Sequence, residues 1–273
     1  MYLAVDIGGT KTLIACFDKS GKVTNTTKFP TDKNYDTFIE ELGKQITSLK
    51  VHDYQAGCVA IPGRVDRKQG RGVRFGNLPW KNIPIQADVE RLINAPVIVE
   101  NDAKLAGLSE ALNIIDDFKR ALYITIGTGI GISIINDGVI DTKVSDRGGN
   151  AILLEHNGKI KSWESFASGK AIKLKYGVRA SEITDPKAWK EISRDLALGI
   201  IDLIAILEPE VIIIGGGVGA HFDKFKDPLL NCLKEYETPM MKIPPVRQAK
   251  RPEEAVIYGC YELIKSTYGS STR

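Results

Sequence analysis

The apolar positions of the chain form the same pattern twice. Residues 3–7 and 12–17 are mainly apolar runs that flank a glycine-rich turn, and residues 122–126 and 132–135 repeat this arrangement around a second glycine-rich turn. A polar turn follows each pair of runs, with Lys-Ser-Gly in the first case and Asn-Asp-Gly in the second. Short apolar runs joined by such turns predict β-hairpins. The repeat favours two similar lobes that face each other, and chance similarity between short β-rich segments is the alternative explanation.

The rest of the chain alternates between short apolar runs and stretches with helical spacing. We predict helices over residues 36–49, 88–93, 103–112, 165–176, 189–207 and about 252–265, and short buried strands over residues 57–62, 97–99 and 210–214. Strands that alternate with helices are typical of an α/β architecture. We expect an N-terminal lobe over residues 1–102, with the last helix packing back on it, and a C-terminal lobe over residues 103–251. The polar tail, residues 266–273, is expected to fray.

Composition narrows the class of protein. The chain has 273 residues, of which 43% are hydrophobic and 26% are charged, as in an ordinary globular enzyme. A net charge of +3, without long runs of one sign, favours neither a nucleic-acid nor a membrane partner. The chain enters a strand pattern at once, so we expect no leader and no N-terminal DNA-binding module. The four cysteines are far apart and have no metal-binding spacing, which predicts buried thiols in a reducing, cytoplasmic setting.

The first glycine-rich turn is a candidate phosphate site. Glycines at a hairpin tip allow backbone N–H groups to approach an anion, and neighbouring threonine and lysine side chains can add hydrogen bonds and positive charge. Asp6, at the end of a buried strand, could hold magnesium through water, since that ion prefers carboxylate and water oxygens. An ordinary tight turn would have the same local pattern. The candidate nucleotide-binding residues here are Asp6, Gly8, Gly9, Thr10, Lys11 and Thr12.

Two further glycine turns follow in the second half of the chain. Gly127, Thr128 and Gly129 occupy the equivalent place in the second hairpin, so the two tips together could grip a polyphosphate. Gly215, Gly216 and Gly217 follow a buried strand and could form a flat surface for a nucleobase or ribose. A simple turn from strand to helix would explain the second of these equally well.

A strand also passes into a helix at Asn101 and Asp102. Asp102 could accept the proton of a substrate hydroxyl while Asn101 orients that substrate. Asparagine and aspartate are also the residues favoured at helix N-caps, where no catalytic role is needed. On local grounds alone, capping is the stronger explanation.

Taken in order, these motifs resemble the ROK family (repressors, open reading frames and kinases) of sugar kinases. The resemblance extends over nearly the whole chain. It rests on residues 6–10, 61–63 with 65–66, 77–80, 100–103, 126–131, 163–169, 209–210 and 215–217.

The resemblance implies a duplicated, two-lobed actin-like (ribonuclease H-like) ATPase fold that binds ATP, magnesium and a hexose. It further implies that Asp102 is the catalytic base, that the two hairpin turns hold phosphates and that the glycines at 215–217 lie beside the adenosine. A homodimer is what the family suggests. The sugar contacts that it implies come from Gly63, Asn77, Asn101, Asp102 and Glu164.

One segment departs from the family pattern. Many members carry Gly-Glu-x-Gly-His followed by a zinc-binding cysteine cluster, whereas residues 147–163 here form a shorter path without cysteine. This departure predicts no zinc site. Asn150 stands where the sugar-binding glutamate is expected, and it can still hydrogen-bond a hydroxyl. His156 could replace the family histidine, but a histidine of a surface loop is the favoured interpretation.

We therefore expect an ATP-dependent carbohydrate kinase that phosphorylates a hydroxyl of a hexose or amino-hexose. Its expected partners are the sugar and ATP, with no nucleic acid or membrane, and the family resemblance suggests a second copy of the chain. The alternative from another class is a non-catalytic sugar- or nucleotide-binding sensor of the same fold. Retention of both Asp6 and Asp102 counts against a pure sensor, which has little need of a base beside a metal-binding carboxylate.

Overall fold

A computed structural model describes residues 1–51, 53–251 and 254–269. The chain divides into two compact units, and each has its own five-stranded sheet. Unit 1 comprises Met1–Ser109 and Glu254–Arg273, and unit 2 comprises Glu110–Glu253. The boundary after Ser109 lies within a helix.

Unit 1 begins with the first predicted hairpin. Its strands are β1 (Tyr2–Ile7), β2 (Lys11–Phe17), β3 (Val23–Pro30), β4 (Ala56–Ile61), β5 (Arg64–Asp66), β6 (Arg71–Phe75), β7 (Leu78–Ile83) and β8 (Val97–Asn101). The main sheet has the order β3-β2-β1-β4-β8, in which β1 is antiparallel to β2 and parallel to β4. A separate three-stranded sheet, β5-β6-β7, was not expected from the sequence.

The helices of unit 1 differ modestly from the sequence-based bounds. They are α1 (Tyr35–Ser48), α2 (Ile85–Ile93) and α3 (Asp102–Leu112), the last of which crosses into unit 2. Helix α1 begins where the side chain of Asn34 accepts hydrogen bonds from the backbone of Asp36 and Thr37. Its apolar stripe of Phe38, Leu42 and Ile46 is buried in the core of unit 1.

Unit 2 repeats the topology of unit 1. Its strands are β9 (Arg120–Ile126), β10 (Ile130–Asn136), β11 (Val139–Ile140), β12 (Leu153–His156), β13 (Lys159–Ser162), β14 (Val211–Gly215) and β15 (Val246–Gln248). The main sheet has the order β11-β10-β9-β14-β15, with β9 antiparallel to β10 and parallel to β14. The two hairpins and the duplication predicted from the repeat are thus confirmed.

The helices of unit 2 include one correction. They are α4 (Glu164–Ala167), α5 (Gly169–Tyr176), α6 (Pro186–Leu207), α7 (Gly216–Gly219) and α8 (Phe222–Lys234). The single helix expected over residues 165–176 is broken at Ser168, whose backbone is extended and whose hydroxyl caps α5. The long helix α6 ends as predicted, with Glu208 in a left-handed conformation just before Pro209.

The last helix, α9 (Ala255–Tyr268), belongs to unit 1 and packs on β1 and β4. Small side chains on this face of the sheet, among them Ala4, Cys58 and Ala60, leave room for it. Its own Gly259 lies against the backbone of Leu105 in α3. The expectation that residues 266–268 fray was wrong, because they continue the helix. Positions 252–253 and 270–273 of the predicted helix and tail lie outside the described residues. Within the described part, no helix has the length and apolarity needed to cross a bilayer.

Candidate active site

The first glycine turn, residues 8–10, joins β1 to β2 at the end of the unit 1 sheet. Two threonines support this turn. The Thr31 hydroxyl lies 2.9 Å from the carbonyl oxygen of Gly8 and 2.9 Å from the hydroxyl of Thr12. Thr12 is fully buried and therefore supports the turn from beneath. Gly9, Thr10 and Lys11 are exposed, so their backbone and the lysine ammonium are accessible to an anion.

Asn77 and Gly63 lie on neighbouring turns of the same unit. A Cβ on Gly9 would lie 3.8 Å from that of Asn77, which places Asn77 beside the glycine turn. Gly63 has a φ of 145°, and a side chain there would overlap the carbonyl oxygen of Arg74, so only glycine fits. The side-chain amide of Asn101 donates to the carbonyl oxygen of Gly63 at 2.9 Å. The turns at 8–10, 63 and 77 and the start of α3 therefore belong to one cluster.

Asn101, rather than Asp102, caps helix α3. The side-chain oxygen of Asn101 accepts a hydrogen bond from the backbone N–H of Lys104 at 3.1 Å, three residues on, as an N-cap does. Asp102 is the first residue of the helix, and its Oδ1 accepts from the adjacent N–H of Ala103 at 2.8 Å. The partial positive charge of a helix N-terminus favours a negative group at this position. Capping by Asn101 therefore accounts for one member of the pair but not for Asp102.

An ion pair that the sequence did not reveal supports this junction. Glu100 is buried, and its carboxylate receives two hydrogen bonds from the guanidinium of Arg67, one of them from Nε at 2.7 Å. The same carboxylate accepts from the backbone N–H of Asn101 at 2.6 Å. Arg67 lies in the loop between β5 and β6. Sequence spacing could not identify this pair because 33 positions separate the partners.

Asp6 has a strongly raised pKa. Burial, followed by the negative charge of Asp102, raises the pKa of Asp6 to about 7, while the positive charge of Lys28 opposes the rise. Lys28 lies on β3, two strands away from Asp6 on β1. The strand register aligns them, because Asp6 pairs with Leu13 on β2 and Leu13 pairs with Lys28. Sequence analysis missed Lys28, which only strand register identifies.

Two interacting carboxyl groups fit a divalent cation. A cation near Asp6 would relieve the repulsion that raises its pKa. Magnesium commonly keeps several waters and takes only one or two protein carboxylates. Among the described residues, no group of three or more histidine, cysteine, aspartate or glutamate side chains is arranged to hold a metal. The donor set thus fits magnesium held by Asp6 largely through water.

The second glycine turn, residues 127–129, occupies the equivalent position in unit 2. The backbone N–H of Gly127 donates to the carbonyl oxygen of Gly129 at 2.9 Å, and its own carbonyl accepts from Gly169 at 2.7 Å. Thr128 is exposed at the tip, and a Cβ on Gly127 would meet nothing within 4 Å. The turn is therefore held from the α5 side and is open at Gly127 and Thr128.

The third glycine segment, residues 215–217, lies beside the second turn because β14 pairs with β9. Gly215 is opposite Thr125 in this register, next to the strand end that leads into residues 127–129. A side chain on Gly215 would overlap the hydroxyl of Tyr123, whereas one on Gly217 would meet nothing within 4 Å. Gly215 is thus required for packing, and Gly217 presents an open backbone surface.

Glu164 joins Asn150 to the second turn. One carboxylate oxygen accepts from the side-chain amide of Asn150 at 2.7 Å, and the other accepts from the backbone N–H of Ile130 at 2.8 Å. Asn150 and Glu164 flank the β12–β13 hairpin, so the hairpin brings them together. Asn150, Glu164 and the turn at 127–129 are therefore neighbours in unit 2.

The β12–β13 hairpin is anchored on α6. His156 stacks on Phe166 with ring centroids 4.1 Å apart, and its Nε2 lies 3.2 Å from a carboxylate oxygen of Asp195. The indole N–H of Trp163 donates to the backbone carbonyl of Asp195 at 3.0 Å. The surface-loop interpretation of His156 was wrong, because this residue is partly buried in a strand and anchors the hairpin.

Comparisons with known proteins identify the family of this chain. The family model described as ROK family matches residues 2–267. A glucokinase of Streptomyces coelicolor is 25% identical over 284 residues, covering 86% of this chain and 88% of its own. An N-acetyl-D-glucosamine kinase of Vibrio parahaemolyticus is 24% identical over 299 residues, with 95% and 98% covered.

A solved structure shows the same fold. The ROK family glucokinase from Streptomyces griseus, in complex with glucose and AMPPNP, superposes with a TM-score of 0.81 at 23% identity. The alignment covers 96% of this chain and 98% of that one. The predicted actin-like α/β fold is confirmed.

Proposed function

Because this chain belongs to the ROK family, we propose that it is an ATP-dependent kinase that phosphorylates a hydroxyl of a hexose or amino-hexose. The relatives named glucokinase and N-acetyl-D-glucosamine kinase support this substrate class. The observation that carries the proposal is the arrangement at the start of α3. Asn101 caps the helix there, and Asp102 is the first residue of the helix, where a carboxylate is favoured by the helix N-terminus.

Asp102 acts as the general base. In the transfer, the sugar oxygen attacks the γ-phosphorus, the bond from that phosphorus to the bridging oxygen breaks, and ADP leaves. The hydroxyl proton passes to the carboxylate of Asp102 as the new bond forms. The Glu100–Arg67 ion pair and the hydrogen bond from Asn101 to Gly63 hold the base in place. A positioned general base contributes about 10²–10⁴-fold to the rate.

The glycine turns bind the nucleotide. Backbone N–H groups of the turns at 8–10 and 127–129, with Lys11 and Thr128, hold the phosphates, and the open backbone at Gly217 lies against the adenosine. Thr12 supports the first turn through Thr31. Magnesium, when bound near Asp6, neutralises charge on the phosphates.

The sugar contacts come from Gly63, Asn77 and Asn101 in unit 1 and from Asn150 and Glu164 in unit 2. The exposed amide of Asn77 and the side chain of Asn150 are suited to hydroxyl recognition, since each has donor and acceptor atoms. Asn101 and Glu164 also hydrogen-bond to protein groups, which holds these two proposed sugar contacts in position.

An ADP-release assay with ATP, magnesium chloride and a panel of hexoses and amino-hexoses tests the proposal. We expect sugar-dependent ADP release that falls by at least about 100-fold in Asp102→Asn. Asp36→Asn is the matched control, because Asp36 is also an aspartate in the first turn of a helix of unit 1 and is exposed. Full activity of Asp102→Asn with a retained melting temperature would refute the assigned base.

The same experiment separates the kinase from a sensor. Asn150, in place of the glutamate expected from the family resemblance, is the observation that favours a sensor. A sensor would bind a panel sugar in calorimetry yet release no ADP with any of them. That result would reject the kinase function in favour of a sensor.

A further inference from the structure

The carboxylate of Glu164 is shared between two parts of unit 2. Oε1 receives the amide of Asn150, and Oε2 receives the backbone N–H of Ile130, the residue that follows the turn at 127–129. Both carboxylate oxygens therefore already accept hydrogen bonds. Oε1 accepts from Asn150, a proposed sugar contact, and Oε2 accepts from the residue that follows the proposed phosphate-binding turn. A change in one hydrogen bond alters the position and acceptor strength of the group for the other.

The turn is built around this carboxylate. A side chain on Gly129 would overlap Oε2 and the carboxyl carbon of Glu164, so glycine at this position is explained by Glu164. Ile130 is the first residue of β10, and it pairs with Ile126 at the end of β9. The Glu164 bond thus fixes the strand that leaves the turn, and with it the directions of the turn's backbone N–H groups.

The identity of residue 150 matters for the same reason. An amide can donate to a carboxylate, whereas a second carboxylate at this place would repel it. Asn150 is exposed and is therefore accessible to a ligand, while its N–H holds Glu164. A hydroxyl that bonds to Asn150 acts directly on the residue that holds Glu164.

We propose that Glu164 is a positioning residue that couples sugar binding at Asn150 to nucleotide binding at the turn of residues 127–129. This inference rests on the proposed kinase function. Sugar bound at Asn150 orders the amide, Glu164 and Ile130, so that the turn is preorganised for phosphate. The coupling is reciprocal, because each ligand raises the affinity for the other by the same factor.

Calorimetric titration measures this coupling. AMPPNP with magnesium chloride is titrated into the protein with and without the panel sugar that gives the greatest ADP release. We expect the sugar to raise AMPPNP affinity by about fivefold or more in the unmodified protein. The ratio should fall below about twofold in Glu164→Gln, whose amide cannot accept at both positions. Asn150→Asp should have the same effect through repulsion.

Glu155→Gln is the matched control, since Glu155 is an exposed glutamate of the same hairpin that also accepts a backbone N–H. It should keep the ratio of the unmodified protein. Hydrogen exchange at the Ile130 amide gives a readout without any sugar, and we expect faster exchange in Glu164→Gln only.

The outcomes separate the two proposals. If a sugar drives ADP release but the unmodified protein shows no coupling, or Glu164→Gln keeps both the ratio and the slow Ile130 exchange, the coupling role is overturned and the kinase function stands. If no sugar drives ADP release, the kinase function fails and the coupling fails with it.

Discussion

The negative charge of Asp102 is, after burial, the second cause of the raised pKa of Asp6. Strand register explains their proximity: Asp6 pairs with Ala60 on β4, Ala60 pairs with Glu100 on β8, and Asp102 follows two residues later. In the absence of a cation, the two carboxyl groups oppose each other's ionisation. This relationship connects the stability of the protein to its proposed use of magnesium.

The stability of the protein should fall as pH rises from about 4 to about 7 through Asp6. The folded-state pKa of about 7 exceeds the ordinary value of 3.8, so across this window the native state holds a proton that the unfolded state has lost. The contribution is complete below pH 4 and is lost as pH rises through 7, at no more than about 1.4 kcal/mol per pH unit. Urea unfolding at pH 5 and pH 7.5 measures it. Asp6→Asn should show a flatter profile, and equal slopes for the two proteins would contradict the assignment.

Binding of magnesium and nucleotide should release a proton from Asp6. A nearby cation favours the ionised form, so the pKa of Asp6 should fall from about 7 and about half a proton should leave at pH 7. Titration of AMPPNP and magnesium chloride in PIPES and in Tris, which differ in ionisation enthalpy, detects the released proton as a difference in heat. The Asp36→Asn control should keep this difference, and Asp6→Asn should lose it. Equal heats in both buffers for the unmodified protein would show that the cation does not act on Asp6.

Loss of Arg67 should weaken both the fold and the activity. Arg67→Ala leaves the buried carboxylate of Glu100 without its cation, which typically costs about 3–5 kcal/mol. Because Glu100 also holds the backbone N–H of Asn101, the catalytic rate should fall as well. Lys68→Ala, an exposed change in the same loop, should alter stability by less than about 0.5 kcal/mol. Chemical denaturation and ADP release at saturating sugar measure the two effects, and an Arg67→Ala protein as stable as Lys68→Ala would contradict the structural role.

Substitution by alanine should lower stability at Gly215 and nucleotide affinity at Gly217. Gly217→Ala meets no protein atom within 4 Å, so the melting temperature should be retained while the KM for ATP rises several-fold. Gly215→Ala overlaps Tyr123 and should lower stability by about 1–3 kcal/mol. Unchanged ATP affinity in Gly217→Ala would remove this segment from the nucleotide site.

Local pattern was sufficient for the elements that depend on periodicity and turn chemistry. The duplicated hairpins, the spacing of α1, and the end of α6 before Pro209 could all be predicted, because each depends on residues close in sequence. Short helices were predicted less well. The break at Ser168 depends on a contact between the backbone of Gly169 and that of Gly127, which lies 42 positions earlier in the chain.

The sequence by itself determined which chemical groups were available: Asp6, Asp102, the three glycine segments, and Asn150 in an unusual place. Only the tertiary structure decided what each group does. It assigned the cap to Asn101, paired Arg67 with Glu100, placed Lys28 in line with Asp6 and committed both oxygens of Glu164. The physical reason is that hydrogen bonds, ion pairs and desolvation depend on distances of a few ångströms between groups that the chain order separates widely, and folding alone sets those distances.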